Sequence, residues 1–167
     1  MEGNGTGPDD TADDRQRTDA VMARFLGRWT VLRNIFDVDS NWQGRFDGTA
    51  DFSFMTGGLS YREEGELRFA GLIGYRATRS YQWRFPGGSR IAVHFEDGAP
   101  FHAFDLGDGR AVASHYCDPD QYDVAYDFTR WPEWRSEWRV EGPRKDYRMV
   151  TIYTRPGQPG PAGGFPL

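Results

Sequence analysis

The chain has 167 residues carrying 20 basic and 25 acidic side chains, a formal charge of −5, which suits one domain and has the wrong sign for a nucleic-acid binder. Aromatic residues make up 16% of it, too many for a disordered body, and no apolar run approaches the ~20 residues that cross a bilayer. An acidic start without an apolar stretch argues against a secretory signal, and the single cysteine, Cys117, excludes an internal disulfide or a multi-cysteine zinc site; the expected location is cytoplasmic.

In chain order, residues 1–17 carry no apolar periodicity and read as a disordered leader. Thr18 and Asp19 offer capping oxygens for a short helix over Asp19–Leu26, stopped by Gly27. Ten alternating segments follow, punctuated by Gly, Asp and Pro: Trp29–Asp37, Gly44–Phe54, Leu59–Phe69, Tyr75–Phe85, Arg90–Glu96, Phe101–Leu106, Arg110–Cys117, Tyr122–Phe128, Arg135–Val140 and Tyr147–Thr154. This is the pattern of an all-β, antiparallel up-and-down meander, and closing it into a barrel of about 8–10 strands removes its exposed edges. The domain then spans residues 18–155, and the four prolines of 156–167 make a flexible tail with one docking candidate in Phe165.

The turns predict which side chains face inward. Asp97-Gly98 as a two-residue turn pairs Val93 with His102, and Asp108-Gly109 pairs His102 with His115, making the two imidazoles direct neighbours. The loop at Gly87-Gly88-Ser89 sets Trp83 opposite Val93 and Tyr81 opposite Phe95; the loop at residues 55–58 sets Phe52 opposite Tyr61 and Ala50 opposite Glu63. A loop at residues 71–74 sets Glu63 opposite Tyr81, so that Glu63 and Arg79 meet diagonally, with Gly48 and Gly65 leaving room for the guanidinium. A one-residue slip would bury Arg62, Glu64, Arg76, Gln82 and Arg84 instead, which disfavours it. The interior is thus mixed: aromatic, with Glu63, Arg79, Tyr81, His102, His115, Cys117 and Tyr126 as a polar lining. Either these groups satisfy each other or they line a cavity, since burying a lone charge costs several kcal/mol.

Gly27-Arg28-Trp29 places a Gly-x-Trp where the helix meets the first strand, and the stretch from Gly142 to Arg148 leads into the last one. This resembles the calycin superfamily of lipocalins and their relatives. The resemblance implies a barrel with Trp29 packed beneath it and covered by an arginine, Arg148 or Arg144. Residues 61–67, 95–102 and 142–149 resemble a bacterial calycin-like family with no assigned activity. The missing signal and disulfide, and the aromatic Trp131-Pro132-Glu133-Trp134, depart from secreted lipocalins and point away from extracellular transport.

Two functional readings follow. In one the barrel binds a small hydrophobic or aromatic ligand, with Arg79 suited to an anionic group and Tyr61, Trp83, Phe95, Tyr126 and Cys117 as the wall. In the other it is a cofactor-independent isomerase, cyclase or lyase acting on an aromatic or polyketide-like molecule. His102 and His115 would exchange protons there, and Glu63 would tune Tyr81. A metal on His102, His115 and Cys117 lacks a fourth ligand, a haem on one histidine stays open, and Cys117 has no orienting acid. No motif demands a cofactor.

Overall fold

The computed structural model describes residues 8–37, 43–69 and 72–158. One helix, α1 (Pro8–Phe25), precedes ten strands: β1 (Gly27–Asp37), β2 (Gln43–Met55), β3 (Gly58–Phe69), β4 (Tyr75–Gly87), β5 (Arg90–Phe95), β6 (Pro100–Asp105), β7 (Arg110–Cys117), β8 (Asp120–Asp127), β9 (Trp134–Gly142) and β10 (Lys145–Thr154). They form one antiparallel sheet in the order β6-β5-β4-β3-β2-β1-β10-β9-β8-β7. Every strand pairs with its neighbour in sequence except β6 with β7, and β1 pairs with β10. The meander is therefore a nearly closed barrel with one unladdered seam.

The expected ten strands are present, and alternation explains their faces: in β1, Trp29, Val31, Arg33 and Ile35 are buried while the residues between are less so. Charged residues on the outer face pair across and along strands, as in Arg28–Asp51, Arg76–Glu64 and Arg148–Glu137. The arginine-rich exterior is thereby largely neutralised by carboxylates.

The helix begins at Pro8, ten residues before the capping signal at Thr18, so part of the segment read as leader is helical. Pro8 has no N–H to leave unpaired in a first turn. Local contacts hold this extension: Arg17 pairs with Asp13 one turn earlier, and the Thr18 hydroxyl donates to Asp14 O. Asp14 Oδ1 accepts the Gly88 N–H at 2.8 Å, pinning the helix to the β4–β5 turn. Residues 1–7, and Phe165 with the rest of 159–167, lie outside the described residues.

Gly27 ends the helix with φ of +100°, a conformation that favours glycine. Trp29 is fully buried behind it, its Nε1 donating to Phe25 O at 2.7 Å. The arginine over its indole is Arg155, 3.8 Å from the ring centroid, not Arg148 or Arg144. Arg148 points outward to Glu137. Arg155 also donates to Arg24 O and Leu26 O, filling carbonyls that the helix C-terminus leaves open. With Trp131 packed on both Phe25 and Trp29, this end of the barrel is plugged.

Two registers differ from expectation. In β3–β4 the pairing is Glu63 with Arg79 and Tyr61 with Tyr81, two residues from the predicted alignment. An even shift keeps every side chain on its face; the ladder runs on to Leu67–Tyr75, where the rings of Phe69 and Tyr75 meet at 6.1 Å. At β6–β7 the tight hairpin is absent. Gly109 N–H donates to Leu106 O, Leu106 N–H reaches back to Ser89 O, and Phe128 N–H takes Gly109 O. The hairpin ends are tied to their outer neighbours, so β6 and β7 are held apart.

Arg155→Met should lower unfolding free energy in urea by about 1–3 kcal/mol, through the buried indole and carbonyls it leaves uncovered. Arg148→Met, which breaks a surface pair, should cost under about 1 kcal/mol. Equal losses would contradict the assignment of Arg155.

Candidate functional site

The inward faces of the strands enclose a cavity of about 280 Å³. Eleven of its twenty lining residues are Phe, Tyr or Trp. Every site residue expected from the sequence contributes to the wall; Tyr81 with Phe95, Trp83 with Val93 and Val93 with His102 pair as expected, but the partners of Glu63, Arg79 and the two histidines differ.

Glu63 pairs with Arg33, not with Arg79. The guanidinium and carboxylate meet through two bonds, Nη1–Oε1 at 2.8 Å and Nη2–Oε2 at 2.7 Å, and both side chains are buried. Arg33 Nε donates to Thr151 Oγ1, and the Tyr61 hydroxyl donates to Glu63 Oε2 at 2.6 Å. Burial alone would raise the Glu63 pKa; the charge and hydrogen bonds of Arg33 win and hold it below the usual carboxylate range. The expected room around Gly48 and Gly65 is used differently. Their Cα atoms face each other in the β2–β3 ladder and leave space for the Phe46 ring, and Arg33 lies 5.2 Å over that ring. Arg33 was readable in principle, since it shares the parity of Trp29 and Val31 on β1.

Arg79 sits directly across the ladder from Glu63 yet is exposed, at the end of the barrel away from α1. Among the described residues no carboxylate forms an ion pair with it. Tyr81 and Tyr147 are near enough to feel its charge, and Tyr122, His115 and Cys117 line the same cavity. Burial raises the pKa of Tyr81 and Tyr147, so both are protonated donors near neutrality. Tyr122 accepts from Lys145 Nζ at 3.0 Å.

The two histidines share a face but are not ladder partners, because β6 and β7 do not pair. Between them lies Phe101, edge-on to both rings at 4.6 and 5.1 Å. Strict alternation would put Phe101 outside. The β5–β6 register shifts between Val93–His102 and His94–Pro100, leaving Phe101 as an extra residue. A bulge of this kind re-aims a side chain; here it turns Phe101 inward. His102 Nε2 is bonded to the Tyr126 hydroxyl at 2.9 Å. Burial, and secondarily the charge of His115, pushes the His102 pKa down to about 4, so its ring is neutral at pH 7. Among the described residues no group of three His, Cys, Asp or Glu side chains converges in the manner of a metal site.

Sequence reasoning also passed over Trp138, Tyr147 and Tyr153, which alternate inward on β9 and β10 and complete the wall. Their parity was the available signal.

Residues 25–155 match the family model described as a family of unknown function, DUF6314. The chain belongs to that family. A comparison with curated proteins gives no match. Among solved structures this DUF6314 chain is similar to an S-type phycobiliprotein lyase, CPES, from Guillardia theta, with a TM-score of 0.61 and 10% identity over 89% of this chain and 98% of that one. At that identity the likeness is one of fold. The DUF6314 chain has no helix long and apolar enough to cross a membrane among its described residues.

Two expectations follow. Glu63→Gln strands the Arg33 charge inside the barrel and should cost about 3–5 kcal/mol in a urea titration at pH 7. The depressed His102 pKa opposes folding under acid: the unfolded ring takes a proton near pH 6.5 and the folded one only near 4. Stability is thus complete above 6.5 and falls between 6.5 and 4, by about 3 kcal/mol from this residue. Denaturation curves at pH 7 and 4 should show that much of the acid loss removed in His102→Gln; an unchanged loss would contradict the burial argument.

Proposed function

We propose that this DUF6314 barrel binds a small amphipathic molecule, its apolar part among the aromatic walls and an anionic group on Arg79. One observation carries the reading: of the charged groups on the cavity wall, Arg33 and Glu63 neutralise each other, and Arg79 alone stands without a carboxylate partner among the described residues. Tyr81 and Tyr147 lie close enough to feel its charge, and among the described residues neither hydroxyl is engaged in a hydrogen bond. Deeper in the cavity Tyr61 is bonded to Glu63 and His102 Nε2 to Tyr126, while His102 Nδ1 and Trp134 Nε1 are buried without a partner among the described residues. The cation at Arg79 orients a charged ligand head toward it. The solved lyase of similar fold is named for phycobiliproteins; that name supports a ligand-carrying barrel in general and does not define the ligand here.

The acid–base reading has weaker support. Phe101 separates the imidazoles, and His102 spends one nitrogen on Tyr126 while holding its proton affinity too low for an efficient base near pH 7. A cytoplasmic binding protein remains the reading to test.

Native mass spectrometry of the purified protein should find a carried small molecule. With 1-anilinonaphthalene-8-sulfonate as probe, Arg79→Met should weaken binding roughly ten- to hundredfold, the range of a hydrogen bond to a charged group. A neutral probe, N-phenyl-1-naphthylamine, should change by less than about twofold on the same footing. Equal losses for both probes would remove Arg79 as the anchor.

A further inference from the structure

Phe101 is the ring on which the outer part of the cavity converges. It lies 5.3 Å from Trp138 at an interplanar angle of 5°, 5.6 Å from Tyr81 at 18°, and 4.5 Å from Phe95 at 28°. Tyr81, Phe101 and Trp138 are therefore nearly coplanar in orientation though they come from β4, β6 and β9, three separate parts of the barrel. Elsewhere the core mixes both geometries, near-perpendicular where Phe25 meets Phe128, Trp131 and Trp134 and near-parallel among Phe104, Tyr126 and Phe128; what sets the Phe101 stack apart is its place at the outer part of the cavity, beside the seam. Phe101 and Trp138 are in face-to-face contact, so a slot forms between them only when Phe101 draws back, and a gap opened between parallel faces admits flat molecules while excluding puckered ones of equal size.

The backbone beneath Phe101 is suited to movement. Phe101 is the extra residue of a bulge, so its strand position is not fixed by a complete ladder. Its strand, β6, is hydrogen-bonded on one side only, to β5, and borders the unladdered seam. The side chain is only half-buried. Across the seam it meets His115 through ring contact alone. Trp138 by contrast is carried by β9, which is paired on both sides, with β8 and β10. One wall of the slot is fixed and the other is loosely held.

We propose that the ligand is a planar conjugated acid whose ring is sandwiched between Phe101 and Trp138 while its carboxylate meets Arg79, and that Phe101 swings toward the seam to admit it. This rests on the binding reading above and adds to it the shape of the ligand and the residue that selects that shape. Trp138 and Phe101 supply the two faces; Tyr81, parallel to Phe101 and beside Arg79 in β4, lies where the ring and the acid join.

The test compares two acids of similar size, naphthalene-2-carboxylate and trans-decahydronaphthalene-2-carboxylate, by isothermal titration against the full chain. The flat acid should bind at least tenfold more tightly and quench tryptophan emission. In Phe101→Leu that ratio should fall below about threefold, whereas Arg79→Met should weaken both acids by the same factor and leave the ratio intact. Thermal melts establish that the variants are folded, and the ratio in the unmodified protein tests the slot with no variant at all. Equal binding of the two acids by the unmodified protein, or a ratio that survives Phe101→Leu, would overturn the sandwich while leaving a binding barrel. Failure of both acids to bind at millimolar concentration would overturn the sandwich together with the anionic-ligand reading.

Discussion

The interior of this barrel is organised by the bidentate ion pair between Arg33 and Glu63. Two charges inside an apolar barrel are expensive unless each oxygen and each N–H finds a partner. Here the carboxylate takes both guanidinium bonds and the Tyr61 hydroxyl, and the remaining guanidinium edge takes Thr151. The pair joins β1 to β3 across the intervening β2, whose Gly48, facing Gly65 of β3, leaves the Phe46 ring beneath the guanidinium. Its larger consequence is electrostatic. By taking both oxygens of Glu63, Arg33 leaves Arg79 without an ion-pair partner among the described residues, although Arg79 lies directly across the ladder from that carboxylate. The asymmetry of the cavity, neutral within and cationic at one side, follows from which arginine the carboxylate chose.

Closure of the barrel rests on a different force. Nine strand pairs are laddered, and the seam between β6 and β7 is closed by side chains: Phe101 meets His115 of β7 edge-on at 5.1 Å, while Phe104 stacks on Tyr126 of β8 at 4.3 Å and His102 bonds to its hydroxyl. Ring packing is non-directional beside a hydrogen-bond ladder and yields more readily to displacement, so local opening should be concentrated along this seam. The bulge at Phe101 sits at that same place, and the two features together put an adaptable wall on the cavity that Arg79 also lines.

Much of this fold was legible in the sequence because turns and alternation are local. The ten strands, the plugging helix and the inward faces of β2 to β5 follow from where Gly and Asp break the alternating pattern. The error at β3–β4 was harmless to facing, since an alignment wrong by two residues keeps the parity. What misled was treating Asp108-Gly109 as a two-residue hairpin. The backbone groups there bond to Ser89 and Phe128 instead, partners distant in sequence that no local rule supplies. Phe101 was lost for a related reason, because a bulge reverses alternation at one residue without a mark in composition. Arg33 and Arg155 show the remaining limit. Parity could place Arg33 inside, but only the assembled barrel reveals that it, and not Arg79, reaches Glu63, and that Arg155 comes back from the last strand to cover Trp29.

The similarity in fold to a phycobiliprotein lyase at 10% identity shows how little of the function the architecture itself carries. A barrel of this kind needs small residues where strands approach, a plug at one end and alternating apolar positions, and many linings satisfy those demands. The constraints on the lining come from elsewhere. The stack of Tyr81, Phe101 and Trp138 is not required for closure; rings also stack in parallel at Phe104, Tyr126 and Phe128, and what sets this stack apart is its place at a bulge beside the unladdered seam. An arginine without a carboxylate is not required either, because the outer face pairs many of its arginines, as at Arg28, Arg76 and Arg148. The loosely held stack and the arginine without an ion-pair partner face the same cavity. Stability offers no reason for that coincidence, and a ligand with a flat body and a charged head does.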